Sequence, residues 1–266
     1  MKDKRTDVQK ENGAFYVVCA DMAKDGSADT AVGVAKIIPK EHFFTYKFVN
    51  VFTVASTDYM VVANQFKKAA IAYNARLLVY DANGVGAGIR DWLNKETQDD
   101  DGTLLPGLGI INPPTSAQKD LILYPKSATI CYEIKASGTL GEQIHWFFFS
   151  RMSTGAITFP IKLAEAVSLY SRNKTFTEMS IRKQQEFLMP FKIMDKAEEE
   201  LRNLDIVNAS DNLSNRLRIT RRNMNIQKDF FSMFEYAVWA TNQAIENDYY
   251  KTKRSKSRNR QLVFIS

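Results

Sequence analysis

The stretch Phe15-Tyr16-Val17-Val18-Cys19-Ala20-Asp21 decides how the chain begins to fold. Its six consecutive apolar residues show no period-two alternation. Both faces of the extended chain must therefore be covered, as in a strand inside a two-sided α/β sheet. The run stops on a carboxylate, and a polar turn, Lys24-Asp25-Gly26-Ser27-Ala28-Asp29, follows. Residues 30–38 and 43–54, rich in Val, Ile, Phe and Thr, predict two more strands. The short connections predict an antiparallel meander.

Beyond the meander, Tyr59, Val62, Phe66, Ala69, Ala70 and Tyr73 recur mostly at spacings of three and four. That period predicts a helix over 58–75, with Asp58 or Thr57 as N-cap. Leu77-Leu78-Val79-Tyr80 is a second short apolar strand ending on an acid, Asp81. The turn Asn83-Gly84-Val85-Gly86-Ala87-Gly88 and a helix through Ile89–Leu93 come next. A strand–helix–strand crossover of this length implies that strand 77–80 runs parallel to a neighbour. Residues 97–103, with Asp99-Asp100-Asp101-Gly102, read as a solvated loop, and 108–111 as a strand stopped by Pro113-Pro114. Within 118–160, Ile144, Phe147, Phe148 and Arg151 fit a helix with Gly155 near its C-cap and a short strand to Pro160; two strands also fit. Helices are expected over 161–171 and 178–203, the latter broken or kinked at Pro190. Residues 205–215 read as loop, 216–220 as a strand, and 226–250 as a long amphipathic helix with Phe230, Phe231, Phe234, Ala237, Val238 and Ile245 on its apolar side. The order βββαβα, a further strand, a mixed insertion and a closing helix is that of an α/β, RNase H-like mixed central sheet flanked by helices.

The bulk numbers fit that class. The 266 residues are 45% hydrophobic and 25% charged, enough to bury one elaborated α/β core. No apolar run reaches the ~18 residues a membrane span needs. The charged start Met1-Lys2-Asp3-Lys4-Arg5 has no apolar segment behind it, so no secretory signal is expected. Cys19 and Cys131 suit two reduced thiols in a cytosolic protein. The net charge of +6 is placed unevenly: residues 1–170 carry 18 basic and 18 acidic groups, residues 171–266 carry 18 and 12. Residues 1–250 read as one domain and 251–266 as a basic, flexible tail. Residues 251–260 hold six positive charges, suited either to phosphate binding or to solubility.

Asp21 and Asp81 each stand just past an apolar strand, where open α/β sheets bind ligands. If the two strands are adjacent and parallel, the carboxylates converge on one rim and suit hard Mg²⁺ or Mn²⁺. Taken singly, an Asp after a strand is commonly a turn former. A third acid would close the site, and Asp229, in the first turn of the last helix, is the candidate. By position alone Asp229 equally favours the helix dipole. Other motifs fall away. Gly84-Val85-Gly86-Ala87-Gly88 lacks the third glycine of a dinucleotide fingerprint, and Asp99–Asp101 lacks calcium-loop spacing. His42 and His145 form no zinc cluster, and Trp146-Phe147-Phe148-Phe149 reads as core rather than a base-stacking platform.

Three segments together resemble the nuclease domain of the large terminase subunit of tailed phages and herpesvirus-type viruses. They are Val17–Asp21 with Gly26–Thr30, Val79–Gly86, and Lys228–Ser232 with Glu235-Tyr236-Ala237. The resemblance spans roughly residues 15–240. It implies that Asp21, Asp81 and Asp229 bind two catalytic Mg²⁺ or Mn²⁺ ions and cut double-stranded DNA with water as nucleophile. It also implies action in the cytoplasm of an infected host cell, beside the terminase ATPase domain, small terminase subunit and portal. The chain departs from the family in two places. No G-x-x-x-x-G-K-[ST] phosphate loop occurs, so the chain reads as an excised or separately encoded nuclease domain, expected to be monomeric alone. The histidine that some relatives carry three residues before the last acid is Ile226 here, so no histidine role is assigned. Asp25 and Asp29 are further candidates beside the first acid. The rival readings are another RNase H-fold nuclease (a junction resolvase or hybrid nuclease) and a non-catalytic DNA- or capsid-docking module.

Overall fold

The computed structural model describes residues 11, 13–22, 29–83, 86–112, 128–211 and 214–252. Expectations for the turn at 24–28, for Gly84-Val85, for Pro113-Pro114 and for the tail from 253 onward fall outside the described residues.

A seven-stranded mixed sheet forms the centre. Its strands are β1 (Phe15–Asp21), β2 (Thr30–Pro39), β3 (Phe44–Val54), β4 (Ala75–Asp81), β7 (Leu108–Ile110), β8 (Ala128–Ile134) and β9 (Ile157–Thr158). Their order is β7-β8-β4-β1-β2-β3-β9. The expected meander is present, because β1, β2 and β3 pair antiparallel in sequence. β4 pairs parallel to β1, with Val18 opposite Leu78 and Ala20 opposite Tyr80. β8 adds parallel to β4 on its other side. This is the RNase H-like α/β architecture that the element order implies.

Both faces are covered, which explains the unbroken apolar runs. Side chains alternate across a strand. Val17, Cys19, Leu77 and Val79 belong to one buried cluster; Val18, Ala20, Leu78 and Tyr80 belong to the other. The second face is roofed by α1 (Tyr59–Tyr73) and α2 (Gly86–Asn94). Asp58 caps α1 by accepting from the Met60 N–H, and Asn74 closes it in the left-handed region at φ 49°. The first face is covered by α3 (Gly138–Ser153), α6 (Ile181–Arg202) and α7 (Asp229–Thr241). Burying Phe230, Phe231 and Phe234 of α7 there contributes about 1.5–3 kcal/mol apiece. Gly33 on β2 lets α7 lie close: a Cβ at that position would stand 2.3 Å from Met233 Sδ.

Several elements differ from the sequence expectation. Within the described 128–160, the expected helical alternative holds as α3, with β8 before it, and Gly155, at φ 67°, after it. Helices α4 (Leu163–Tyr170), α5 (Lys174–Thr177) and α6 form the insertion, and α6 runs through Pro190 without a break. Residues 205–215 are not loop. β10 (Leu204–Asp211) and β11 (Ser214–Arg221) make a separate two-stranded hairpin. The closing helix starts at Asp229, three residues later than expected, and passes into a π-helical turn, Asn242–Glu246. The acidic loop 97–103 is held between two-residue strands β5 (Thr97–Gln98) and β6 (Leu104–Leu105). Its Asp99 is buried and paired with Lys68 rather than solvated. Cys19 and Cys131 are buried free thiols. Among the described residues no helix is long and apolar enough to cross a membrane.

Candidate metal centre

Asp21 and Asp81 end the adjacent parallel strands β1 and β4, one residue past the paired Ala20 and Tyr80. Strand parity fixes which way they face. Asp21 follows Val17 and Cys19 by steps of two, and Asp81 follows Leu77 and Val79, so both acids share the face covered by α7. Asp229 is the first residue of α7. The sheet and the helix thus bring the three predicted acids into one electrostatic neighbourhood. Asp21 is 9% exposed and Asp81 6%. Burial, then the charges of Asp229 and Asp81, push the Asp21 carboxyl well above the ordinary carboxylate range. A hydrogen bond from Ser232 and the charge of Lys228 oppose that shift.

Repelling, buried carboxylates with hard oxygen donors fit a divalent cation of the Mg²⁺ or Mn²⁺ type. In the arrangement seen, no three Asp, Glu, His or Cys side chains among the described residues yet close on one point to enclose an ion. Asp81 also acts locally as a turn former: its Oδ1 accepts from the Asn83 N–H at 2.8 Å.

Other side chains border the three acids, and for Ser232, Tyr236, Glu235, Glu200 and Glu133 the sequence alone gives no role at a metal site. Asp229, Ser232 and Tyr236 are spaced three and four apart, one stripe of α7. Tyr236 is buried, and its phenol is pushed up by burial and then by Asp21, Asp81 and Glu235. Glu235 meets His145 of α3, with Oε2 and Nδ1 2.5 Å apart. Glu200, near the end of α6, accepts the Phe230 N–H at 2.8 Å and is pushed up to about 7, chiefly by burial. Asp29 is exposed and lines a cavity of about 380 Å³ with Lys196, Glu199, Glu200, Asn225, Ile226 and Gln227. It lies beside this cap. Asp25 falls outside the described residues. Tyr80 of β4 and Arg90 of α2 both bond the buried Glu133 of β8, which braces the strand carrying Asp81. Of the aromatic run on α3, Phe148 is core as expected, whereas Trp146 is 60% exposed.

The topology is that of an α/β fold of RNase H-like architecture, with Asp21 and Asp81 buried at the rim of its sheet. No family model matches the chain, and no curated protein matches it. Among solved structures, the chain is similar to the large terminase nuclease from thermophilic phage G20c with bound magnesium. That match has 14% identity and a TM-score of 0.47, over 86% of this chain and 82% of that one. It is also similar to the nuclease domain of the large terminase subunit gp2 of bacterial virus Sf6, at 13% identity and TM-score 0.46, over 88% and 92%. The human cytomegalovirus terminase nuclease domain, Mn soaked and inhibitor bound, matches at 11% identity and TM-score 0.35, over 90% and 94%.

Proposed function

We propose that the chain is a metal-dependent endonuclease that hydrolyses phosphodiester bonds of double-stranded DNA, the nuclease part of a viral genome-packaging terminase. Asp21, Asp81 and Asp229 are its metal ligands, for two Mg²⁺ or Mn²⁺ ions. The observation that carries this reading is the shared face of Asp21 and Asp81 at the ends of β1 and β4, under the helix that begins with Asp229. Bound divalent ions would supply an activated water and stabilise the leaving oxygen. The chain's own residues do the rest. The sheet fixes two acids, α7 brings the third, and Ser232 of α7 favours the charged form of Asp21. Residues 1–250 form the catalytic domain in this reading. Basic groups of 216–228 and the tail 251–266 hold the DNA backbone without reading its sequence. Of these, Arg221 donates to the Ile226 carbonyl and Arg222 pairs with Asp205. The terminase ATPase domain, small terminase subunit and portal are the proposed partners, in the cytoplasm of an infected cell, with the isolated chain monomeric.

Plasmid cleavage with Mn²⁺, Mg²⁺ or EDTA tests the reading, using wild type beside Asp21→Ala, Asp81→Ala and Asp229→Ala. The expected result is metal-dependent cutting by wild type that each substitution abolishes. Folded wild type that binds DNA but cuts in no metal would favour a docking module. Preference for branched or hybrid substrates would favour another RNase H-fold nuclease. Cutting that survives Asp229→Ala would remove Asp229 from the ligand set.

A further inference from the structure

The first N–H groups of a helix have no acceptor within the helix. At α7 the N-cap residue is Lys228, whose side chain supplies none. The acceptor comes instead from another helix, 30 residues earlier in the chain: Glu200 Oε2 takes the Phe230 N–H at 2.8 Å. Glu200 is 2% exposed and also meets the Phe231 N–H. Between Glu200 and Phe230 the chain runs out and back as the β10–β11 hairpin, whose Leu204 and Ile219 pack against the edge of the apolar cluster. The base of that hairpin is clamped by Asn203 and Asn223, which exchange two hydrogen bonds of 2.9 and 2.8 Å. The hairpin pairs only with itself among the described residues, so no strand pairing ties the start of α7 to the sheet. Glu200 does, because α6 is anchored by Met194 and Ala197 in the same apolar cluster as α7.

We propose that Glu200 is a positioning residue for the acidic centre: by capping α7 from α6, it sets where Asp229 is presented to Asp21 and Asp81. The inference rests on the reading of these three acids as metal ligands. Asp229 immediately precedes the capped Phe230, so any slip of the first turn displaces its carboxylate. A local Ser or Asp at position 228 would satisfy the same N–H without tying α7 to α6.

The test is calorimetric titration of the full chain with Mn²⁺, without DNA, for wild type, Asp229→Ala, Glu200→Ala and Glu200→Gln. It is run where circular dichroism shows every protein folded, with hydrogen exchange at the Phe230 amide measured alongside. Wild type is expected to bind Mn²⁺ and Asp229→Ala to lose it. Glu200→Ala should bind at least about 10-fold more weakly, with faster exchange at Phe230. Glu200→Gln keeps an acceptor oxygen and should stay near wild type. Folded Glu200→Ala with wild-type Mn²⁺ affinity overturns the proposal and leaves Glu200 a stabilising cap only. Wild type that fails to bind Mn²⁺, or Asp229→Ala that binds as wild type does, overturns the ligand reading itself and the inference with it. Should Glu200→Ala not fold, Glu200→Asp, whose shorter arm withdraws the oxygen, is expected to show the same loss; wild-type affinity there is equally fatal.

Discussion

His145 Nδ1 and Glu235 Oε2 lie 2.5 Å apart where α3 crosses α7, and the Glu235 side chain is 1% exposed. Burial pushes the Glu235 carboxyl above its usual range, while the His145 contact and the Lys228 charge pull it back. Removing His145 would leave a buried acid without this partner. His145→Ala is therefore expected to lose about 1–3 kcal/mol in urea unfolding. Adding Glu235→Gln to it should recover part of the loss, since the charge needing compensation is gone. An unchanged urea midpoint in His145→Ala would show that the contact contributes nothing to stability.

Lys67 of α1 lies fully buried on the opposite face of the sheet, donating to the Lys95 carbonyl and to Thr97 Oγ1. Burial lowers its ammonium from 10.5 to about 8. Between pH 8 and 10.5 the unfolded chain then binds a proton that the folded chain has released. Stability from this group rises with pH across that window and is flat below it. Compared with Lys67→Met, wild type should gain melting temperature from pH 8 to 10. Parallel curves for the two proteins would mean that Lys67 titrates alike folded and unfolded.

Two glycines make opposite forecasts. A Cβ on Gly107 would stand 2.2 Å from the Asn94 carbonyl oxygen, a backbone atom that cannot swing away. Gly107→Ala should destabilise by about 1–3 kcal/mol. Gly141, inside α3, has nothing within 4 Å of the same position. Gly141→Ala should stabilise by about 0.5–1 kcal/mol through the lower entropy cost of ordering the backbone. Thermal unfolding of both variants reads the two signs directly.

These contrasts trace what a sequence can carry. The runs ending at Asp21 and Asp81 were legible because continuous burial leaves continuous apolar residues. The two-residue step from Cys19 to Asp21 and from Val79 to Asp81 already encodes the face they share. The cap at Asp58 was legible because its acceptor and donor are two residues apart. Of the β10–β11 hairpin only β11 was legible, as the strand expected at 216–220; β10 was not, because Ile206 and Val207 are both substantially exposed and no core-facing alternation marks it. Asp99 hid inside an acidic run, where one buried ion pair with Lys68 has no compositional sign. Glu200 and His145 were illegible for a different reason. Their partners lie 30 and 90 residues away, and only the packing of α6 and α3 on α7 creates the contacts.

The acidic centre itself yields the last forecast. Asp21 is disfavoured as a carboxylate by burial and by Asp229 and Asp81, so without metal its charge costs the fold stability. Its carboxyl is raised in the folded state, so that cost grows as pH climbs from the unfolded carboxylate value through the folded one, and it is in force at neutral pH. Asp21→Asn keeps the shape and removes the charge. In EDTA at pH 7.5 it is expected to melt above wild type. Adding Mn²⁺ should then raise the wild-type melting temperature, because an ion that binds only the folded state stabilises it by mass action. The variant, short of one ligand, should respond little, so the order of the two proteins narrows or reverses. A variant that melts below wild type in EDTA would mean that Ser232 and Lys228 already compensate Asp21 without any metal. An equal Mn²⁺ response in both proteins would place the ion elsewhere.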